Sequence, residues 1–590
     1  MTEATAIRPQ PSSQDSKATI HYQVAMPKPA NHLFVVTLKV QDWSLPTLDL
    51  KMPVWTPGSY LIREYPRHVQ DLSAHNPAGT SLAVAKLSKN HWQIATPNSK
   101  EIVVQYCVFA NELTVRTNHL DSTHGYFNGA ALFFFIPGLE TQPIQLEIVP
   151  PQPDWQVTTT LPLLADQANT FVARDFDTLV DSPVEIGTQQ VHDFIVFNKL
   201  HQLAIWSQGN AQAATIIADT QKIIAAEAQI FGGLPYEQYL FLLHLSGSGY
   251  GGLEHKNCCT LNYPRFGFRD REKYERFLQL VAHEFFHLWN VKRIRPQALE
   301  SFDYETENYT TSLWFSEGTT SYYDLLIPLR AGIYDRKTFL NNLSKELTRY
   351  LSIPGRKVQP LGESSYDAWI KLYRRDAHSD NNQISYYLKG ELVSLLLDLL
   401  IRAKHQNQQS LDDVMKIMWQ RFGQPEVGFS ETQLRDVIAE VAQENLDDFF
   451  ATYIETTAEL PFDDYLDPFG LYLKAIKESD APEMGIKVQS ENNEEVIKSV
   501  TAESPAALAG IDAGDRLLAI NHLKVTAQSL NDRLQDYQPG DTIQVTIFHQ
   551  DELKTLPVTL TAAQPSRYEL TMQNNLSATQ QQNLTGWLGS

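Results

Sequence analysis

His283-Glu284-Phe285-Phe286-His287 sets two imidazoles one helical turn apart with a carboxylate beside the first. In an α-helix residues i and i+4 share a face, so both rings can close on one metal ion. Glu284 then stands at the rim, where a carboxylate can act on water rather than on the metal. Residues 273–290 put Phe277, Leu280, Val281 and Leu288 at helical spacing, with no Gly or Pro before Pro296, which predicts a buried helix over that span. A core helix whose histidines only satisfy hydrogen bonds would show the same pattern, so the residues around it must decide.

Two histidines leave a four-coordinate zinc ion one protein ligand short, with the last position kept for water. Downstream, Leu313-Trp314-Phe315-Ser316-Glu317-Gly318-Thr319-Thr320-Ser321-Tyr322-Tyr323 carries a lone carboxylate in an apolar, hydroxyl-bearing segment that reads as helical. Burying Glu317 requires a cation, which is either the metal or a nearby arginine, Arg293 or Arg295. The ligand reading takes His283, His287 and Glu317 as the metal set, holding one zinc ion per chain. Ligand type favours zinc, although cobalt or manganese suits the same donors.

The motif His283-Glu284-x-x-His287-Leu288-Trp289-Asn290-Val291-Lys292-Arg293-Ile294-Arg295-Pro296, followed by Trp314-Phe315-Ser316-Glu317-Gly318, resembles the glycyl aminopeptidase family. These are zinc peptidases of the gluzincin group, distantly similar to aminopeptidase N. The resemblance extends to Trp55-Thr56-Pro57-Gly58-Ser59-Tyr60-Leu61-Ile62-Arg63-Glu64 and to the C-terminal module, and so covers nearly the whole chain.

Two further positions follow from the resemblance. Relatives carry a Gly-x-Met-Glu-Asn segment whose Glu binds the free α-amino group of the substrate. This chain has Gly251-Gly252-Leu253-Glu254-His255, with Leu for Met and His for Asn, so the carry-over rests on Glu254, Gly251 and Gly252. A carboxylate aimed at an ammonium makes an exopeptidase, because only a chain end supplies that charge. A surface-loop Glu is the plain alternative. Relatives also use a Tyr in a Tyr-x-Lys-Gly segment to donate to the tetrahedral oxyanion, which implies Tyr387 in Ser385-Tyr386-Tyr387-Leu388-Lys389-Gly390. Tyr386 competes for that role. The segment opens an apolar helix expected to run to about residue 401, with Asp380-Asn381-Asn382 as capping material.

The length of 590 residues demands several cores, about three or four domains. The expected architecture is multidomain α+β. Residues 1–17 form a disordered tail and 18–180 a β-rich domain of short alternating runs. Residues 181–465 form the zinc peptidase domain, a thermolysin-like part plus a helical part, the latter by resemblance. Residues 466–563 form a PDZ-like domain and 564–590 a C-terminal tail with Trp587 and Leu588 as docking points. Within the peptidase region, 211–230 reads as a helix ended by Gly232-Gly233, and 239–245 as a strand leading into the glycine-rich residues 246–252.

Met484-Gly485-Ile486 and the run from Ser504 to Asn521 are similar to bacterial-type PDZ domains, with a helix expected over 529–537 and a strand over 542–549. Such domains take an extended peptide as an added strand and hold its terminal carboxylate on loop amides, which implies Met484, Gly485 and Ile486 as the peptide site. A structural cap with a closed groove is the alternative.

A net charge of −21 argues against nucleic acid or an anionic membrane as partner. Three cysteines, Cys107, Cys258 and Cys259, make no disulfide framework, and the default for the adjacent pair is packed thiols. No basic n-region with an apolar stretch opens the sequence, which points to a cytoplasmic enzyme. The polar run Thr117-Asn118-His119-Leu120-Asp121-Ser122-Thr123-His124-Gly125-Tyr126 is turn-like, readable as a second metal site or as a structural loop. The expected activity is release of an N-terminal residue, with the Gly or Ala preference implied by the family, from peptides with a free N-terminus. The expected partners are those peptides and a C-terminal peptide ligand of the PDZ module. The competing functions are a zinc endopeptidase and a PDZ-led scaffold with a weak peptidase half.

Overall fold

The computed structural model describes residues 18–97 and 99–589, so the expected tail over 1–17 lies outside the described residues. The chain divides into two compact units. Of the described residues, the first comprises those within 18–224, 234–288 and 301–308, the second 225–233, 289–300 and 309–589.

The first unit is mostly β. A six-stranded sheet has the order Thr170–Ala173, Ile144–Val149, Thr19–Ala25, Leu33–Gln41, Glu101–Phe109, Val69–His75. Its strands alternate as a half-buried sheet requires: Ile20, Tyr22 and Val24 face the core across from Val36, Leu38 and Val40. A three-stranded and a four-stranded sheet complete this β-rich part. The Trp55-to-Tyr60 motif is tied down by its aromatic ends: Trp55 and Tyr60 are buried, and Trp55 Nε1 donates to Asp303 O at 2.7 Å.

The same unit holds a five-stranded mixed sheet in the order Gln190–Val196, Lys199–Trp206, Gln238–Ser246, Cys258–Pro264, Gly251–Glu254. The strand Gln238–Ser246 has parallel neighbours on both sides, and residues 239–245 are buried without a break, as their apolar run anticipates. The glycine-rich stretch ends in Gly251–Glu254. That segment is an antiparallel edge strand, with Gly252 opposite Leu261 and Glu254 opposite Cys259. Glycines at an edge allow close approach from the side chains of the next layer, whereas the sequence signal reads only as a turn. Cys258 and Cys259 are buried free thiols in the partner strand, the packed pair expected.

The helix Arg271–Phe286 packs against these two strands. Asp270 caps it, its side chain accepting from Lys273 N, and Phe277, Leu278, Val281 and Phe285 face inward. It stops four residues short of the expected end: His287 is its C-cap, and Trp289 to Val291 leave the helical path, Val291 with φ +120°. The expected helix over 211–230 is found at Ala213–Phe231, followed by Gly232 and Gly233 at positive φ.

The second unit contains the helical part and the C-terminal sheets. Trp314–Thr319 is a π-helical turn that runs into the helix Thr320–Arg330. The helix Tyr386–Lys404 is buried along most of its length, and its cap is Ser385; Asp380 to Asn382 belong instead to a separate short helix, Ser379–Asn382. The sequence signal failed there because two runs of capping residues lie five positions apart.

The PDZ-like sheet holds Ile486–Glu491 at one edge, then Glu494–Val500, Arg516–Ile520, Thr542–His549 and Glu552–Thr559, with Leu523–Lys524 beside Arg516–Ile520. Its helix covers only Leu530–Leu534, shorter than expected. The expected tail beyond residue 563 carries a strand and a helix. Arg567–Met572 pairs with Leu471–Ile476, and the helix Ala578–Leu588 buries Leu584, Trp587 and Leu588, with Trp587 Nε1 donating to Tyr322 Oη at 3.0 Å. Among the described residues no helix is long and apolar enough to cross a membrane.

Candidate functional site

Within the first unit, the site begins with the rings of His283 and His287, whose centres are 4.6 Å apart and whose planes are nearly perpendicular at 88°. His287 is buried and His283 half-buried. Glu284, on the same helix, is buried with Oε2 lacking a hydrogen-bond partner among the described residues. Burial pushes its carboxyl up to about 7, against the opposing pull of His283, His287 and Arg116, while Glu254 adds to the rise. A carboxyl that changes protonation near neutrality suits proton transfer in both directions.

Glycine explains the closeness of the edge strand. A Cβ on Gly252 would fall 2.2 Å from Glu284 Cδ and Oε1, inside any allowed contact. Only glycine lets this strand lie against Glu284. Gly251 has φ +144°, a backbone that side chains rarely adopt. Glu254, two residues beyond Gly252, is 4% exposed, which removes the reading of a surface-loop Glu. Its Oε1 has no hydrogen-bond partner among the described residues. Gly58 from the Trp55-to-Tyr60 motif touches the same carboxylate: a Cβ there would lie 2.4 Å and 2.7 Å from its two oxygens. The strand is held from both ends. Arg116 Nη2 donates to Gly252 O at 3.0 Å, and Asp181 meets His255 Nδ1 at 3.1 Å and accepts from Lys256 N at 2.8 Å.

Within the second unit, Glu317 is 2% exposed on the π-helical turn. Asn290 clamps that turn, donating from Nδ2 to Phe315 O at 2.9 Å and to Ser316 O at 3.2 Å. Gly318 and Gly390 bring the turn and the helix Tyr386–Lys404 into backbone contact: a Cβ on Gly318 would meet Gly390 Cα at 2.5 Å, and one on Gly390 would meet Trp314 O at 2.6 Å. Tyr387 is thereby set beside Glu317. Burial first, then the Glu317 charge, raise the phenol well above its ordinary pKa and keep its proton in place for donation.

Tyr386 is fully buried while Tyr387 is half-buried. Tyr373 Oη lies 3.0 Å from both phenol oxygens. Sequence reasoning missed Tyr373 and Arg116, which sit in irregular segments without a motif. It quoted Asn290 without a role, although its place three residues after His287 was a usable signal.

Met484 is buried, Gly485 has φ +79°, and Ile486 opens the edge strand of the PDZ-like sheet. The Gly485 backbone is pinned by Thr501 N donating to its carbonyl at 2.8 Å. Among the described residues of the first unit, His119, Asp121 and His124 form a set of three side chains that could hold a metal ion. His283 and His287 of the first unit offer two imidazoles and Glu317 of the second a carboxylate, donor types suited to zinc with a position left for water.

The peptidase M61 N-terminal domain matches residues 21–188, the M61 glycyl aminopeptidase domain residues 276–393, and a PDZ domain residues 482–560. No curated protein matches the chain. Among solved structures, an aminopeptidase N family protein from Idiomarina loihiensis is 32% identical, with a TM-score of 0.91 over 97% of this chain and 100% of that one. An M1 zinc metallopeptidase from Deinococcus radiodurans is 13% identical, with a TM-score of 0.47 over 76% of this chain and 96% of that one. Two peptidase domains in register with the motifs, and a relative similar from end to end, settle the kinship: this chain belongs to the M61 glycyl aminopeptidase family and is a metallo-aminopeptidase.

Proposed function

We propose that the protein removes the first residue, small residues such as Gly or Ala by family preference, from peptides with a free N-terminus. One catalytic zinc ion would be held by His283, His287 and Glu317. When bound, zinc supplies Lewis-acid polarisation of the scissile carbonyl and lowers the pKa of water. Glu284 takes the proton of the attacking water and passes it to the leaving amine. Tyr387, kept protonated by burial and by Glu317, donates a hydrogen bond to the developing oxyanion. Glu254 pairs with the substrate ammonium, and Gly251 and Gly252 let the peptide backbone approach that strand. At the PDZ-like module, a peptide C-terminus would settle on Met484, Gly485 and Ile486 and extend the edge strand Ile486–Glu491. Free thiols at all three cysteines suit the cytoplasm.

The observation that carries the reading is the buried Glu254 carboxylate, two residues past Gly252, the glycine that neighbours Glu284. An anchor that close to the proton carrier lets only the terminal peptide bond reach it. The roles separate by substitution. Glu284→Gln should keep zinc and lose kcat by about 10²–10⁴. Glu317→Gln should weaken zinc binding. The reverse pattern, measured by metal content and initial rates, would overturn the assignment.

A further inference from the structure

The polar run from Thr117 to Tyr126 folds into a tight hairpin, His119–Leu120 against His124–Phe127, with Leu120 opposite Gly125. Asp121 sits in the turn. Its Oδ1 accepts from Thr123 N at 2.7 Å, Thr123 Oγ1 at 2.6 Å and His124 N at 3.1 Å, which fixes the carboxylate between two histidines. Asp121 Oδ2 is 3.2 Å from His119 Nε2, and Oδ1 is 3.9 Å from His124 Nδ1. One ligand atom from each of His119, Asp121 and His124 lies within 4.8 Å of the other two. The two imidazoles have ring centres 4.8 Å apart and planes tilted by 32°.

An independent observation comes from His124 itself. It is fully buried, and neither ring nitrogen has a hydrogen-bond partner among the described residues. An imidazole so placed is costly unless something satisfies it. Its surroundings are built rather than accidental. Trp206 stacks on the ring at 3.5 Å and 21°. Gly187, across the sheet, leaves room for it, since a Cβ there would meet His124 Cβ at 2.9 Å.

A second buried carboxylate stands behind. Glu185 Oε1, also without a partner among the described residues, is 4.0 Å from His124 Nε2, and Oε2 is 2.8 Å from His244 Nε2. Metal-ligating histidines ordinarily hold a carboxylate on their other ring nitrogen, which sets the tautomer.

We propose that His119, Asp121 and His124 bind a second divalent metal ion, Zn2+ by donor type, separate from the peptidase centre. His124 ligates through Nδ1, the nitrogen facing Asp121, while Nε2 carries the proton toward Glu185. Asp121 contributes one oxygen, and water completes four-coordination. The ion closes the hairpin turn on itself, a structural role. The donor set of two imidazoles and a carboxylate selects a late transition ion over calcium or magnesium, which take oxygen ligands.

The test is metal content by plasma emission spectrometry on the full chain, loaded with zinc and dialysed against metal-free buffer. The wild type should hold about two zinc ions per chain. The double variant His283→Ala/His287→Ala leaves the hairpin untouched and should retain about one. Adding His119→Gln and Asp121→Asn to that double variant should bring it near zero. A wild type with one zinc or fewer overturns the proposal. A His283→Ala/His287→Ala protein with none does so without requiring any hairpin variant to fold, and so does retention of its zinc after the two hairpin substitutions.

Discussion

Gly58→Ala probes a contact that joins the Trp55-to-Tyr60 motif to Glu254, the proposed substrate anchor. The new methyl would fall 2.4 Å and 2.7 Å from the Glu254 oxygens and 2.7 Å from Leu253 Cδ1. Ordinary contact needs roughly an ångström more, so the carboxylate must turn away. The backbone adds its own penalty, because φ is +83°: about 1–2 kcal/mol for a side chain held there. Stability should fall by that amount, a Tm shift of roughly 2–8 °C in a domain of this size. Activity should fall further than stability. Misplacing a charge-assisted contact to a desolvated ammonium costs about 2–5 kcal/mol, on the order of 30- to several-thousand-fold in kcat/KM. The assay is initial-rate hydrolysis of Ala-p-nitroanilide, with Tm followed in parallel. A folded Gly58→Ala protein within twofold of wild-type kcat/KM would refute the placement of Glu254 as the anchor.

Gly252→Ala should act on Glu284, the proposed base, since its Cβ would overlap that side chain. Zinc content should stay at the wild-type level while kcat drops by about 10²–10⁴; loss of zinc with unchanged kcat per bound metal would contradict this. Lys389 tests a buried charge. It is fully buried, its Nζ donates to Thr456 O at 3.4 Å, and burial lowers its pKa from 10.5 to about 8 against a weaker pull from Glu459. Below pH 8 both folded and unfolded chains hold the proton, and the fold bears the full cost of the buried ammonium, roughly 3 kcal/mol. Between pH 8 and 10.5 the folded chain has released a proton that the unfolded chain keeps, so this cost fades as pH rises. Lys389→Met should therefore raise Tm at pH 7 and lose that advantage toward pH 10; a pH-independent difference in Tm would be inconsistent with a buried charge.

The metal-motif helix was legible because its apolar spacing, its carboxylate and its two histidines all lie within seventeen residues of one another. Its end was not. His287 already caps the helix, while Leu288 and Trp289 continue an apolar pattern that serves packing outside it. Glu317 was legible as a lone carboxylate, yet the π-helical turn beneath it leaves no mark in a period of 3.6. Gly251 and Gly252 carry a turn signal that the close approach of Glu284 overrides. The C-terminal tail was legible only in its docking points, and Trp587 and Leu588 are both buried in the helix Ala578–Leu588. His119, Asp121 and His124 stood out as a polar run. Glu185 and Trp206 did not, because strand pairing brings the first there and stacking from another sheet brings the second.

The claim that Glu254 makes this an aminopeptidase is tested most directly by comparing kcat/KM for Ala-p-nitroanilide and its N-acetyl form, on the wild type and on Glu254→Ala. Acetylation removes the ammonium and leaves a buried carboxylate without its partner. The wild type should therefore prefer the free amine by roughly 30- to several-thousand-fold, and Glu254→Ala should lose most of that preference by slowing on the free amine alone. Equal cleavage of the two substrates by the wild type would contradict the account and make the enzyme an endopeptidase.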